Sequence, residues 1–404
     1  MKLKNSILSL FLSSSILRLS TAFLSFLFTV YVTNTFTLEI AGEILLYFAT
    51  FSFLSYNFRF GFDTFLLKHL NSTSEENNEF STFINAFLIY VIFFIIGLFS
   101  ILLFSKPSLT FLIFYFSLFF NGIHFLVSII FQARNNAFFG VVFQNFLFLL
   151  ILLSISAFLS VDKENDFAYV FLSSSFITSI VSLFFFFRVF SFFKFTNKLL
   201  EFLKSSFPFF VILLCSQLSQ WSSQFLLGYF KDDATVALFS SSQRIGMLIS
   251  LFLVSINFIV APRFADLYFK KQYQDLLQVF KKSALFVSLI TMPLVIGVAF
   301  YAEYVLSIFG DEYVDSSFVL RVLCVGQIVN VLTGSVAILL NMTGNESLVR
   351  NVSLMGACLS LVSGFLLIPE FGLLGAAIST AFTISVVNVV NLCFVVRFFK
   401  VKLC

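Results

Sequence analysis

Charge is scarce in this chain. Only 11% of its 404 residues are Asp, Glu, Lys or Arg, against about 25% in soluble domains, while 59% are hydrophobic. A fold surrounded by water on all sides is therefore excluded. Histidine and cysteine are also sparse, at 2 and 5 residues, with no CxxC pair and no cysteine set beside a histidine. Neither a metal site nor a disulfide framework is expected, and nothing calls for a cofactor. Nucleotide-binding loops and catalytic triads are missing too, which argues against an enzyme. Proline occurs 5 times. Pro208 falls in the first turn of a predicted helix, where its missing N–H costs little. Pro107, Pro262 and Pro369 fall at predicted ends, and Pro293 alone is interior. Basic and aromatic residues do not cluster in any soluble segment, so nucleic acid is not an expected partner.

What the sequence has in quantity is long apolar runs. Taking roughly 20 apolar residues as one bilayer crossing, twelve helices are predicted, at 6–31, 40–60, 80–104, 108–130, 138–160, 167–190, 207–230, 236–261, 283–308, 317–341, 348–369 and 372–398. Eighteen of the 24 basic residues fall on alternate gaps, among them Lys68, Arg134, Arg188, Arg263, Lys270, Lys281 and Lys400. The opposite gaps hold Lys106, Lys163 and Lys231, with acids such as Asp162, Asp232 and Asp311. Because cytoplasmic loops retain positive charge, both termini of a multi-pass membrane protein are expected in the cytoplasm. The net charge of +4 is read as attraction to anionic lipid head groups. The 65 Phe residues, including the run Phe184 to Phe187, are read as lipid-facing filler.

The hydrophilic stretch 188–206 divides the chain into an N-terminal lobe, 1–195, and a C-terminal lobe, 196–404. Six helices in each lobe leave both with the same orientation, as in parallel repeats. After the second helix of each half comes a similar segment, FRFGFDTFLLKHL from Phe58 and PRFADLYFKKQYQDLL from Pro262. In the second, Phe264, Leu267, Tyr268, Tyr273, Leu276 and Leu277 share one side of an expected interfacial helix. Gly372 and Gly375 read as close-packing positions.

Ionisable groups deep in a membrane cost about 2.5 to 3.5 kcal/mol on insertion scales and mark function by default. Arg18 lies near the centre of helix one, in a polar stripe with Ser14, Thr21 and Ser25. Arg244 lies within helix eight beside Gln243. On helix seven, Gln217, Gln220, Gln224 and Trp221, the sole tryptophan, share one side. These strips are expected to face a central cleft. Arg321, near an outer helix end, is expected to snorkel to the interface. No Asp or Glu lies near a predicted midplane. That disfavours carriers of cationic drugs and suits an anionic substrate, since arginine engages phosphate through paired donors.

Several segments resemble the Wzx-type polysaccharide-biosynthesis flippases of the multidrug/oligosaccharidyl-lipid/polysaccharide exporter superfamily. They are APRFADLY from Ala261, FGDEY from Phe309, RVLCVGQIVN from Arg321, NMTGN from Asn341 and LIPEFGLLGAAISTAF from Leu367, in that order. The resemblance implies an all-α membrane fold with two pseudo-symmetric six-helix lobes around a central cavity. It also implies movement of an undecaprenyl-pyrophosphate-linked oligosaccharide to the outer leaflet for O-antigen or capsule assembly. Basic residues on helices one and eight of related flippases fall here on Arg18 and Arg244, with Arg59 a further match. Glycan polymerase and glycosyltransferases become candidate partners. The alternatives are a multidrug extruder of the same superfamily and a non-transporting scaffold for glycan synthases.

The charge pattern makes a topological prediction. Alkaline phosphatase fused after Asp162 or Asp311 should be active, and fused after Lys198 or Lys271 inactive; the reverse pattern would refute the assigned orientation.

Overall fold

The computed structural model describes residues 2–72, 79–104, 106–134, 136–159, 161–190 and 196–403. No strand occurs among them. Hydrocarbon dictates this, because without water each backbone N–H and C=O must bond within its own segment. In order come α1 (Lys2–Thr35), α2 (Leu38–Phe58), α3 (Phe62–Ser72), α4 (Glu79–Phe104), α5 (Leu109–Ala133), α6 (Ala137–Val141), a π-helical turn (Val142–Phe146), α7 (Leu147–Leu159) and α8 (Glu164–Val189). There follow α9 (Leu199–Phe230), α10 (Asp233–Phe269), α11 (Tyr273–Phe300), α12 (Ala302–Ser307), a 3-10 turn (Asp311–Ser316), α13 (Ser317–Thr333), α14 (Val336–Met342) and α15 (Glu346–Leu403). Among the described residues 11 helices are long and apolar enough to cross a membrane. The last of them, α15, is broken at Gly372 (φ 52, ψ −124) into two, which gives the twelve crossings read from the sequence. The protein is a multi-pass membrane protein.

Two compact units divide the chain: Met1–Phe36 with Tyr47–Leu214, and Thr37–Leu46 with Cys215–Cys404. Two of the division points fall inside α2 and α9. Locally the reason is visible. Phe202 of α9 meets Phe65 edge-on and Phe210 stacks on Phe60, at 5.2 and 4.3 Å between ring centroids, all within the first unit. Gly42 of α2 lies so close to the Asp233 carbonyl of the second unit that a Cβ would overlap it.

The first unit is organised on α5, the most deeply buried of the spans. Phe171 of α8 inserts among Phe114, Phe51 and Phe148, with centroids at 4.7, 4.9 and 5.0 Å. Phenylalanine is thus not merely lipid-facing filler. Within the run Phe184 to Phe187, Phe186 is fully buried while Phe184 and Phe187 are exposed. Ser174, Ser175, Thr178, Ser179 and Ser182 form a buried ladder on α8; their hydroxyls bond back to their own helix, and Ser179 also donates to the Phe120 carbonyl of α5 at 2.6 Å. Small side chains of this kind let two helices approach closely where apolar solvent supplies no drive to associate. Beside them, Ser55 donates to Asn121 Oδ1. The His124 Nδ1–H donates to the Phe143 carbonyl in the π-helical turn at 2.8 Å, which leaves Nε2 to accept from the Asn121 amide at 3.2 Å.

Other expectations need correction. The helix read across Phe264 to Leu277 is interrupted between α10 and α11, where Lys271 has φ 58. Its apolar residues nevertheless meet: Phe264, Leu267 and Leu276 are buried in one cluster with Tyr268, Tyr273 and Leu277 packed against it. The run 317–341 is split at Gly334, and 283–308 at Tyr301. Since α9 begins at Leu199, Pro208 lies inside it rather than in its first turn, and Pro262 lies inside α10. Arg321 bonds the Glu303 carboxylate at 3.0 Å and the Ala299 carbonyl at 3.2 Å. Of the two glycines, Gly375 is a close-packing position, where a Cβ would run into the Leu367 carbonyl. Gly372 instead supplies the left-handed backbone of the break, and Lys231 Nζ donates to the carbonyl of Pro369 at 3.0 Å, near that break.

These glycines predict opposite effects of one substitution. Gly375→Ala should lower the melting temperature in detergent although alanine is the better helix former by about 0.5 to 1 kcal/mol. Gly297→Ala, with nothing within 4 Å of the added Cβ, should hold or raise it. A neutral Gly375→Ala would refute the packing argument.

Candidate functional site

Within the second unit five crossings enclose a cavity of about 530 Å³. α9 contributes Ser216, Ser219 and Gln220; α10 contributes Gln243, Gly246, Met247, Ser250 and Val254; α13 contributes Gln327 and Asn330; and the two segments of α15 add Ser353, Gly356, Thr380, Thr383 and Asn388. The α10 residues recur at helical spacing, a stripe along one face. None of the lining residues is charged.

The wall is wired by amides and hydroxyls. Gln327 Oε1 accepts from Ser250 at 2.8 Å and from the Asn330 amide at 3.1 Å. Gln243 donates to the Gln220 carbonyl at 3.0 Å, joining α10 to α9. Thr380 and Ser223 share a hydrogen bond at 2.8 Å. Thr383 is 4% exposed, and its hydroxyl has no hydrogen-bond partner. Such an orphan hydroxyl costs about 1 to 3 kcal/mol when buried, so a polar guest that reached it would remove a penalty.

The residues anticipated from sequence are sorted differently. Gln220 is on the cavity wall. Gln217 accepts from the Trp221 indole N–H at 2.9 Å, and both are buried. Gln224 donates to the Ser240 hydroxyl. One sequence strip thus supplies one lining group and three side chains engaged within the protein. Arg244 is half-buried on α10 and flanks the lining stripe. In the first unit, Arg18 is half-buried on α1, and Thr21 bonds back to the Leu17 carbonyl at 2.8 Å. The side chain of Ser14 lies outside the described residues.

Arg59 is enclosed completely. It is 0% exposed, between α2 and α3, with its Cζ 3.5 Å from the ring centre of Phe125 and 4.2 Å from that of Tyr56. Its Nη2 is 3.3 Å from Asp63 Oδ2. Burial pushes the Asp63 carboxyl above its usual range, and the guanidinium pulls against that shift. A desolvated cation between two aromatic faces is a stable arrangement.

The sequence comparison settles the family. A profile described as polysaccharide biosynthesis protein matches residues 7–268, more than half of the chain. The chain belongs to that family. A second profile, MatE, matches residues 208–366. Among curated relatives, a probable low-salt glycan biosynthesis flippase, Agl15 of Haloferax volcanii, is 25% identical over 186 residues, which is 45% of this chain and 39% of that protein. An uncharacterised membrane protein of Methanocaldococcus jannaschii is 27% identical over 136 residues, 33% of this chain and 27% of that protein. The matches therefore span well under half of either relative. In fold, the chain is similar to lipid II flippase MurJ in an inward closed conformation, with TM-score 0.77, 17% identity, and 95% and 87% of the two chains covered. It is also similar to a multidrug resistance MATE transporter of the MOP superfamily, inward-facing, with TM-score 0.68, 14% identity and coverage of 96% and 95%.

Gln327, Asn330, Thr383 and Asn388 were not singled out from sequence. A faint signal was there, since Thr380, Thr383 and Val387 recur at steps of three and four, but an isolated Thr or Asn in an apolar helix does not say which way it faces. The Arg59 pocket makes an asymmetric prediction. Asp63→Ala strands a buried cation and should destabilise the protein by about 3 kcal/mol or more, whereas Arg59→Met, which leaves a carboxyl able to protonate, should cost less. Equal losses in detergent unfolding would contradict this.

Proposed function

We propose that this protein is a flippase that carries a lipid-linked glycan across the bilayer by alternating access. The observation that carries the reading is the uncharged cavity of the second unit. Its amides and hydroxyls offer donors and acceptors together, as a sugar's hydroxyls require, and it holds no carboxylate to retain a cationic drug. The family and the fold neighbours support the same reading.

In this scheme Gln220, Gln327 and Asn330 exchange hydrogen bonds with the sugar, and Thr383 gains the partner it lacks. Arg18 and Arg244 offset the hydration lost by a diphosphate link, while the prenyl tail stays in lipid. The direction is from the cytoplasmic to the outer leaflet of a bacterial inner membrane, with both termini cytoplasmic. The product supplies O-antigen or capsular polysaccharide assembly alongside a polymerase and glycosyltransferases. The chain's role is transport and not catalysis. The MatE match favours drug extrusion as the second reading.

Arg18→Ala and Arg244→Ala should each abolish surface glycan at normal protein abundance, and Gln327→Leu with Asn330→Leu should reduce it at least tenfold. Full glycan display by both arginine variants overturns the proposal. Lowered drug susceptibility on expression, with no flipping of a lipid-linked oligosaccharide in vesicles, would install the second reading.

A further inference from the structure

A second concavity in the same unit has the opposite chemistry. Where α11 begins and α15 ends, a groove of about 450 Å³ is floored by apolar side chains, among them Leu392, Val395 and Val396, and edged by Lys281 and Lys400. The floor is firm, because Phe280, Val395 and Phe399 belong to the buried cluster beneath it. Val396 turns outward and is 49% exposed. Both lysines are exposed. Among the described residues there are four ion pairs, formed by Arg59, Arg134, Lys270 and Arg321, and neither groove lysine takes part in one.

Two ammonium groups without a carboxylate therefore stand over a greasy slot at the end of membrane-crossing helices. The ligand that satisfies both halves is an amphiphile with an anionic head. A zwitterionic lipid offers the lysines no net charge, and a free phosphate leaves the slot empty. Basic pockets between membrane helices are known acceptors of anionic head groups, and the bilayer supplies such lipids at high local concentration. We propose that this groove binds an anionic phospholipid of the surrounding membrane, with the phosphate between Lys281 and Lys400 and an acyl chain along Leu392, Val395 and Val396. The assignment is independent of the transported substrate.

The test uses the full-length protein in a neutral detergent, with phosphatidylglycerol or phosphatidylcholine added and lipid retention read by native mass spectrometry. Wild type should retain one phosphatidylglycerol in preference to phosphatidylcholine. Lys281→Gln with Lys400→Gln should weaken that retention roughly 25-fold, the combined attraction of two lysines near a membrane surface. Val396→Trp should block it with both charges in place, and Lys282→Gln, an exposed neighbour outside the groove, should leave it unchanged. Inorganic phosphate at millimolar concentration should not compete. Equal retention of the two lipids, an unaltered double variant, or displacement by inorganic phosphate overturns the proposal. So does preferential displacement by a polyprenyl diphosphate, which would make the groove part of substrate handling.

Discussion

Helices that share hydrocarbon have no hydrophobic reason to associate, and what joins them here is close approach at small side chains with aromatic rings filling the remaining space. The Ser and Thr ladder of α8 against α5, and Phe171 seated among three other rings, show both devices on one interface. That contact lies on α5, the most deeply buried of the spans. The same rule explains Gly375, which lets the two segments of α15 fold back on each other where any side chain would intrude.

Polar groups follow a second logic. In the first unit Ser55, Asn121 and His124 form a hydrogen-bonded chain closed on the Phe143 carbonyl, and Arg59 is held by two rings and a carboxylate. In the second unit polar groups surround open volume, and one of them, Thr383, is left unsatisfied. A buried hydroxyl without a protein partner is costly to maintain in a membrane. A polar guest that reached Thr383 would lift part of that cost, which is the physical ground for reading this cavity as a transport site.

The crossings were legible because the length of an apolar run is itself a physical measurement of the bilayer. Even the break before helix twelve was placed correctly, at Gly372. Helix ends were less legible, since Pro208 and Pro262 were taken as boundaries although α9 and α10 run past them. Phenylalanine misled for a different reason: the same side chain suits lipid and core, so Phe184 and Phe186, two residues apart, have opposite fates. The glutamine strip of α9 shows the limit most clearly. Gln217, Gln220 and Gln224 are equivalent in sequence, and only the neighbours Trp221 and Ser240 decide which of them is left to face the cavity.

The π-helical turn at Val142–Phe146 carries a consequence for how this chain is put together. Such a turn holds one residue more than an α-helical turn, so it rotates all that follows by about 100° around the axis, the angle one residue occupies at 3.6 per turn. The inward face of α7, with Phe148, Leu149, Leu152 and Ser156, is therefore set by that single extra residue, and the carbonyl taken up by His124 lies within the same turn. The imidazole thus acts as a register pin, tying α5 by one hydrogen bond to the turn that sets the azimuth of the segment after it.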